Sequence, residues 1–277
     1  MGCEVLESVT WEIKTCNIII VGVTVAFGSD GRFYEQPEDL NFEPRYAGRT
    51  DILTGIQGEW SGVELDGIYL GDYKTGKKPT SRLGYPEWPL QVCLYSNGIE
   101  KTHGHKVDGE VIFHLDKFTG IPTIYDYSGD HANYLEAGKR LVEFYHEFKR
   151  DYITKNGGIP SVTTILKVLD KPALPPWAAN CVKDYVVEKM RTRPSIGRIE
   201  LYDLLEEARK NYRTVSSTAM DVGTRVHELI EQYLVHGKEP SKRELFNKEV
   251  KAAWDAFMDM WSTLTTEIIM VEARIFG

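Results

Sequence analysis

Apolar positions in the first half of the chain fall in short β-branched or alternating runs, whereas those in the second half recur at helical spacing. The pattern therefore predicts strands first and helices afterwards. Asn17 to Phe27 is apolar and β-branched, Ser29-Asp30-Gly31 is a turn signal, and the polar, proline-containing stretch Glu35 to Pro44 reads as a loop. Ala47 to Thr54 and Val63 to Lys74 form two more strands, separated by the Gly-rich segment Gly55 to Gly62 and resembling a hairpin. Trp88 to Ser96 has the apolar density of a short buried helix, and Glu110 to Leu115 with Pro122 to Tyr127 reads as a further strand pair. In Asn133 to Arg150, Leu135, Leu141, Val142, Tyr145 and Phe148 share a stripe while Glu136, Lys139, Arg140 and Glu143 take the other face, so this segment is an amphipathic helix.

Asp151 to Pro160, ending Lys-Asn-Gly-Gly-Ile-Pro, is the best linker in the chain. Helices are expected beyond it at Ser161 to Val168, Trp177 to Met190, Leu201 to Arg209, Met220 to Val235 and Leu245 to Leu264, followed by a strand from Glu267 to Phe276. The organisation is thus a β-rich half over 1–150, a linker over 151–159 and a helical half over 160–277. Neither half alternates strands with helices as a doubly wound sheet requires. Asn17 to Val21 and Glu267 to Val271 look alike only as two apolar strands do.

Composition narrows the function. With 42% hydrophobic, 27% charged and 11% aromatic residues, the chain is globular in type and neither disordered nor fibrous. Its 277 residues allow one large domain or two small ones. The 33 basic against 41 acidic residues, net −8, exclude a general polyanion binder, so any nucleic-acid contact must rest on a local basic groove. Cys3, Cys16, Cys93 and Cys181 lie far apart with no CxxC pair, which argues against zinc, against an iron-sulfur cluster and against a disulfide framework, and fits a reducing cytosol. The longest apolar run, Ile18 to Phe27, falls short of the roughly 20 residues of a membrane span. Met1-Gly2-Cys3-Glu4 lacks the basic region of a secretory signal, and Glu4 and Glu7 oppose a lipid-anchor reading. Gly71-Asp-Tyr-Lys-Thr-Gly76-Lys77 imitates a phosphate loop, but Lys78 stands where a magnesium-holding hydroxyl belongs and Pro79 follows, so no nucleotide is expected.

That same segment suits metal-dependent phosphodiester chemistry. The strand period of two puts Asp72 and Lys74 on one face, and Asp51 begins the neighbouring strand within reach if the two pair. Two carboxylates can hold a hard divalent cation, while a lysine orients water or offsets transition-state charge. Taken singly, an Asp-x-Lys pair reads as a solvated face and His227, at the edge of the Val226, Leu229, Ile230 and Tyr233 stripe, as a rim residue.

The set changes that reading. Gly223-Thr-Arg-Val-His227-Glu-Leu-Ile-Glu231, Val-Glu272, Tyr46-Ala-Gly-Arg-Thr-Asp51, Gly71-Asp72-Tyr-Lys74 and Gln91-Val-Cys-Leu-Tyr95 together resemble the RecB-like branch of the PD-(D/E)xK nuclease superfamily. Pro160-Ser-Val-Thr-Thr-Ile-Leu166, with Lys171-Pro-Ala-Leu and Trp177-Ala-Ala, is further similar to phage and mitochondrial genome maintenance exonucleases. The resemblance implies an α/β, restriction-endonuclease-like fold with a mixed central sheet flanked by helices. It implies Mg²⁺ or Mn²⁺ held by His227, Asp51, Asp72 and the Tyr73 carbonyl, with Lys74 as catalytic lysine and Glu272 as the acid of the first core strand. Gln91 and Tyr95 would lie beside the site and position Lys74 or the DNA backbone, with Thr224 and Arg225 near the same phosphate. Lys74, Lys77, Lys78 and Arg82, and separately Lys189, Arg191, Arg193 and Arg198, would form basic clusters for phosphate contact, with Tyr85 and Trp88 stacking bases.

The motif order departs from the family, which runs from the histidine helix to the glutamate strand, the Asp51-type strand, the Asp-x-Lys strand and the Gln/Tyr helix. Here the last three come first, a circular permutation. An intact permuted domain, half-domains completing one another between chains, and a fusion without a working site are all compatible with this order. The first requires His227 and Glu272 to meet Asp51, Asp72 and Lys74, and Glu267 to Phe276 to pair beside the Asp51 strand. The expected function is a metal-dependent DNA exonuclease acting on ends or single strands, as a monomer or homo-oligomer without membrane attachment, in the cytoplasm of the host if phage-encoded. The alternative is a catalytically inactive nucleic-acid-binding or assembly protein of the same fold.

Overall fold

The computed structural model describes residues 25–27, 33–35, 45–81, 83–148, 159–169, 174–192 and 196–277. Of the strand expected over Asn17 to Phe27 the described part is β1 (Val25–Phe27), antiparallel to β2 (Phe33–Glu35). The similarity to Asn17-Val21, most of the Glu35 to Pro44 loop, Arg82, Arg193 and the linker over 151–158 lie outside the described residues.

A mixed five-stranded sheet, order β6-β5-β4-β3-β7, forms the centre: β3 (Ala47–Trp60), β4 (Val63–Gly76), β5 (Gly109–Asp116), β6 (Pro122–Asp126) and β7 (Thr265–Phe276). Only β4 and β5 run parallel, because α1 (Glu87–His103) carries the chain across between them; the other neighbours are antiparallel. The further helices are α2 (His131–Phe148), α3 (Val162–Leu166), α4 (Leu174–Thr192), α5 (Arg198–His236) and α6 (Lys248–Thr263). The strand period sends Leu53, Leu70 and Ile112 to a core shared with α1, α2 and α3, and Ile52, Tyr73 and Phe113 to a second core shared with α5 and α6. Every residue of β5 is buried, which is why it reads as a nearly continuous apolar run. The α/β architecture with helices on both faces of a mixed sheet is therefore present.

Three sequence expectations need correction. Gly55 to Gly62 is not a spacer, since β3 continues through Trp60 and only Ser61 and Gly62, at φ 50° and 82°, make the turn. Both central residues at positive φ define the tight hairpin turn whose twist matches its strands. Leu201 to Arg209 and Met220 to Val235 are one 39-residue helix, α5, because the polar stretch between them holds neither Gly nor Pro to break it. The Trp88 to Ser96 helix runs on to His103 and stops at Gly104, which caps it in the left-handed conformation at φ 70°. β7, although it follows the helical half, adds to the same sheet beside β3.

Helix α1 also crosses β7 closely. A Cβ on Gly98 would lie 2.5 Å from Cδ1 and 2.9 Å from Cβ of the fully buried Ile275. Ile275 Cβ cannot swing aside, so Gly98→Ala should destabilise the fold by about 1–2 kcal/mol even though alanine favours the helix by about 1 kcal/mol. Urea unfolding checks this; a variant more stable than the parent would show that α1 and β7 are not packed this closely.

Candidate functional site

The site lies where the sheet forks. β3 and β4 pair from Trp60 opposite Val63 to Ile52 opposite Gly71, and there the ladder ends although both strands continue. Beyond the fork β3 stays paired with β7 as far as Ala47, and β4 with β5 as far as Gly76. Asp51 and Asp72 are the first residues past the last β3–β4 pair. In place of a ladder bond, the Tyr73 N–H donates to Asp51 Oδ2 at 2.6 Å. A strand residue's N–H and C=O leave by the same edge, so the Tyr73 carbonyl is directed toward the same gap. On the other side, the pairs Thr50–Ala273 and Ile52–Val271 bring Glu272 opposite Asp51. Glu272 sits at φ 54°, a left-handed conformation that costs a non-glycine residue about 1–2 kcal/mol.

Helix α5 brings His227 to the fork. Val226, Leu229 and Ile230 bury the helix against the sheet, and His227, at the rim of that stripe, sets Nδ1 3.5 Å from Asp51 Oδ2. Its ring meets Tyr73 edge-on, and Tyr73 in turn stacks on Phe113. Asp51, His227 and Glu272 each offer a ligand atom within 4.8 Å of the others. Two carboxylates and an imidazole form a donor set suited to a divalent cation such as Mn²⁺.

Helix α1 closes the opposite side. Gln91 and Tyr95, one helical turn apart, both face the sheet. Gln91 Oε1 accepts from Lys74 Nζ at 3.0 Å, while its Nε2 donates to Asp72 Oδ1 at 3.2 Å and to the Tyr95 hydroxyl at 3.0 Å. Lys74 Nζ is 2.5 Å from Asp72 Oδ2. One glutamine thus fixes both members of the Asp-x-Lys pair, and Asp72 is only 3% exposed.

The environments of the neighbouring acids push their acidities apart. Burial raises the Asp51 carboxyl, but the His227 hydrogen bond and charge, Lys74 and the Tyr73 N–H outweigh it and leave the group below its ordinary value. Burial dominates at Asp72, which is raised to about 6 despite Lys74, with the Asp51 charge adding to the shift. Glu272 is raised by burial and by Asp51, against Arg49. His227 is lowered by burial, yet raised overall by Asp51 and Asp72. An acid raised in the folded state loses stability as pH climbs from its unfolded value through its folded one, so Asp72 opposes folding above about pH 6. Asp72→Asn should therefore melt higher than the parent at pH 7 in metal-free buffer, by about 1–3 kcal/mol, with the difference vanishing below about pH 4. Thermal melts at the two pH values decide it; a variant less stable at pH 7 would show that the Lys74 ion pair outweighs burial.

The fork gathers Asp51, Asp72, Tyr73, Lys74, Gln91, Tyr95, His227 and Glu272, but not every residue expected near it. Arg225 turns to acids away from the fork, donating to Glu228 and Glu244 at 2.8 Å each, and Thr224 is exposed. The close approach of this helix turn is made by Gly223, where a Cβ would lie 3.0 Å from Thr75 Oγ1. Lys77 and Lys78 are exposed just past β4. Trp88 is buried against His114 and Tyr125 and is closed to base stacking, while Tyr85 remains 40% exposed. In the second basic cluster Arg191 is paired with Glu188. The imitation phosphate loop is part of strand β4.

Sequence reasoning passed over Arg49, which pairs with Glu272 through Nε and lies 3.9 Å from Glu231. Strand alternation was the available signal, since Arg49 stands two residues before Asp51 on the same face. Among the described residues no helix is long and apolar enough to cross a membrane. No family model, curated protein or solved structure matches the chain.

Proposed function

We propose that the chain is a Mg²⁺- or Mn²⁺-dependent deoxyribonuclease that hydrolyses phosphodiester bonds at DNA ends or in single strands, with a circularly permuted, restriction-endonuclease-like fold. The observation that carries this reading is the convergence of Asp51, Asp72, Lys74, His227 and Glu272, drawn from both halves of the chain, at one sheet fork. In this reading 1–150 and 160–277 form one nuclease domain.

Asp51, His227 and Glu272, with Asp72 and the Tyr73 carbonyl beside them, would hold the cation, which supplies Lewis acidity at the phosphate and a more acidic water. Lys74 stands at the mouth of this group, a quarter exposed, where its ammonium can orient the attacking water and offset charge on the phosphate. Gln91 keeps Lys74 aimed, because a bond from each end of its amide fixes both Lys74 and Asp72. The Tyr95 hydroxyl accepts from Gln91 and so retains its own proton for another acceptor. Arg49, paired with Glu272 but 58% exposed along its side chain, stands at the rim, where a DNA phosphate would compete for it once Glu272 turns to the cation.

The test is loss of end-labelled single- and double-stranded DNA, linear and circular, with Mg²⁺, Mn²⁺ or EDTA. Metal-dependent loss of linear but not circular DNA is the expected result. Binding without cleavage at any metal concentration would favour the non-catalytic nucleic-acid-binding protein instead.

A further inference from the structure

On the α1 side of the sheet three donors meet that the nuclease reading leaves unused: Cys93 of α1, Glu110 of β5 and His131 at the start of α2. The Cys93 thiol, a Glu110 carboxylate oxygen and a His131 ring nitrogen lie within 4.8 Å of one another. Cys93 is fully buried and Glu110 is 1% exposed, while His131 closes the group from a more open position. Glu110 Oε1 is 2.7 Å from His131 Nδ1, and the carboxylate also has the Ser96 hydroxyl beside it, while its buried Oε2 lacks a well-formed hydrogen bond. An interior carboxylate with an under-satisfied oxygen beside a thiol is costly.

We propose that Cys93, Glu110 and His131 bind one zinc ion that ties α1 and α2 to β5. Thiolate, imidazole and carboxylate are zinc's donors and not those of Mg²⁺, which takes oxygen ligands. Bonds of about 2.0–2.3 Å at a tetrahedral angle set donors roughly 3.3–3.7 Å apart, inside the observed limit. The Glu110–His131 contact then opens by roughly half an ångström, which the partly exposed His131 has room to do. Binding releases the Cys93 proton to solvent. Burial of Cys93 keeps the thiol from any substrate, so a nucleophilic role is not supported. The wide spacing of the cysteines does not bear on this site, whose ligands come from three elements and include one cysteine.

The test strips the full chain with chelator and titrates it with Co²⁺, whose thiolate charge-transfer band and intense tetrahedral visible bands report a sulfur ligand. The expected result is one such ion per chain, with both signals lost in Cys93→Ala and the affinity lowered at least about tenfold in His131→Ala, where the thiol remains. His227→Ala and Cys181→Ala should leave the thiolate charge-transfer band unchanged, separating this site from the nuclease cation and from the other described thiol. Zinc absorption spectroscopy should find one sulfur at about 2.3 Å. Absence of a charge-transfer band in the parent, a band that persists in Cys93→Ala, or parent-like affinity in His131→Ala would each overturn the proposal.

Discussion

Lys74→Ala should slow metal-dependent DNA hydrolysis by about 10²–10³-fold while leaving DNA affinity within about twofold, because its charge acts where the transition state gains charge and not where the duplex is held. The ammonium is fixed between Asp72 Oδ2 and Gln91 Oε1. Such fixation removes the need to reorganise water or side chains as charge develops. Lys74→Arg should restore little, since a planar guanidinium cannot reproduce a compact charge wedged between a carboxylate and an amide. Single-turnover rates on end-labelled DNA with Mg²⁺ give the chemical step, and anisotropy with Ca²⁺ in place of Mg²⁺ gives binding. A Lys74→Ala rate within about fivefold of the parent would remove Lys74 from catalysis, and a parallel loss of binding would make it a phosphate clamp. Gln91→Leu should share the defect in kcat more mildly, as expected of a positioning residue that leaves the ammonium present but unaimed.

The strands were legible where one physical constraint acted alone. The alternation in β4 foretold that Asp72 and Lys74 share a face, and the i, i+4 spacing foretold that Gln91 and Tyr95 do. The run of Val226, Leu229 and Ile230 fixed which side of α5 is buried, and hence that His227 stands at its rim. What local pattern left hidden was set by long-range pairing. The end of the β3–β4 ladder beyond Ile52, the left-handed backbone of Glu272 and the Arg49–Glu272 pair all depend on β7 adding to β3 across more than half the chain. Arg225 shows the opposite failure. A residue beside a motif histidine points about 200° around the helix from it, and its acid partners Glu228 and Glu244 take it away from the fork. Glu244 lies beyond the end of α5, where helical periodicity carries no information. Trp88 was open to two readings until tertiary structure decided, since a tryptophan at a helix start serves a core or a surface equally well.

Mn²⁺ should raise the thermal stability of the parent chain, and this gain should disappear in Asp51→Asn and fall strongly in His227→Ala. A ligand present at a hundred times its dissociation constant stabilises by about 2.7 kcal/mol, which for a chain of this size is a shift of several degrees. The pH dependence carries a sign that separates a metal site from an ion pair. Without metal, His227 has a folded pKa raised above its unfolded value through Asp51 and Asp72. Its contribution is then full below the unfolded value and is lost as pH rises through the folded one. With metal the imidazole must be neutral to donate, so the Mn²⁺-induced gain runs the other way, growing as pH rises through that same folded value. In His227→Ala both trends should flatten, whereas Asp51→Asn should remove the metal gain at every pH because it takes away a carboxylate ligand, and should flatten the metal-free trend because it removes a charge that raises His227. Melting curves with Mn²⁺ or EDTA across pH 5 to 8 give both slopes at once. A gain that persists in both variants would mean that the cation binds elsewhere, and a gain in the parent independent of pH would exclude His227 from its ligands.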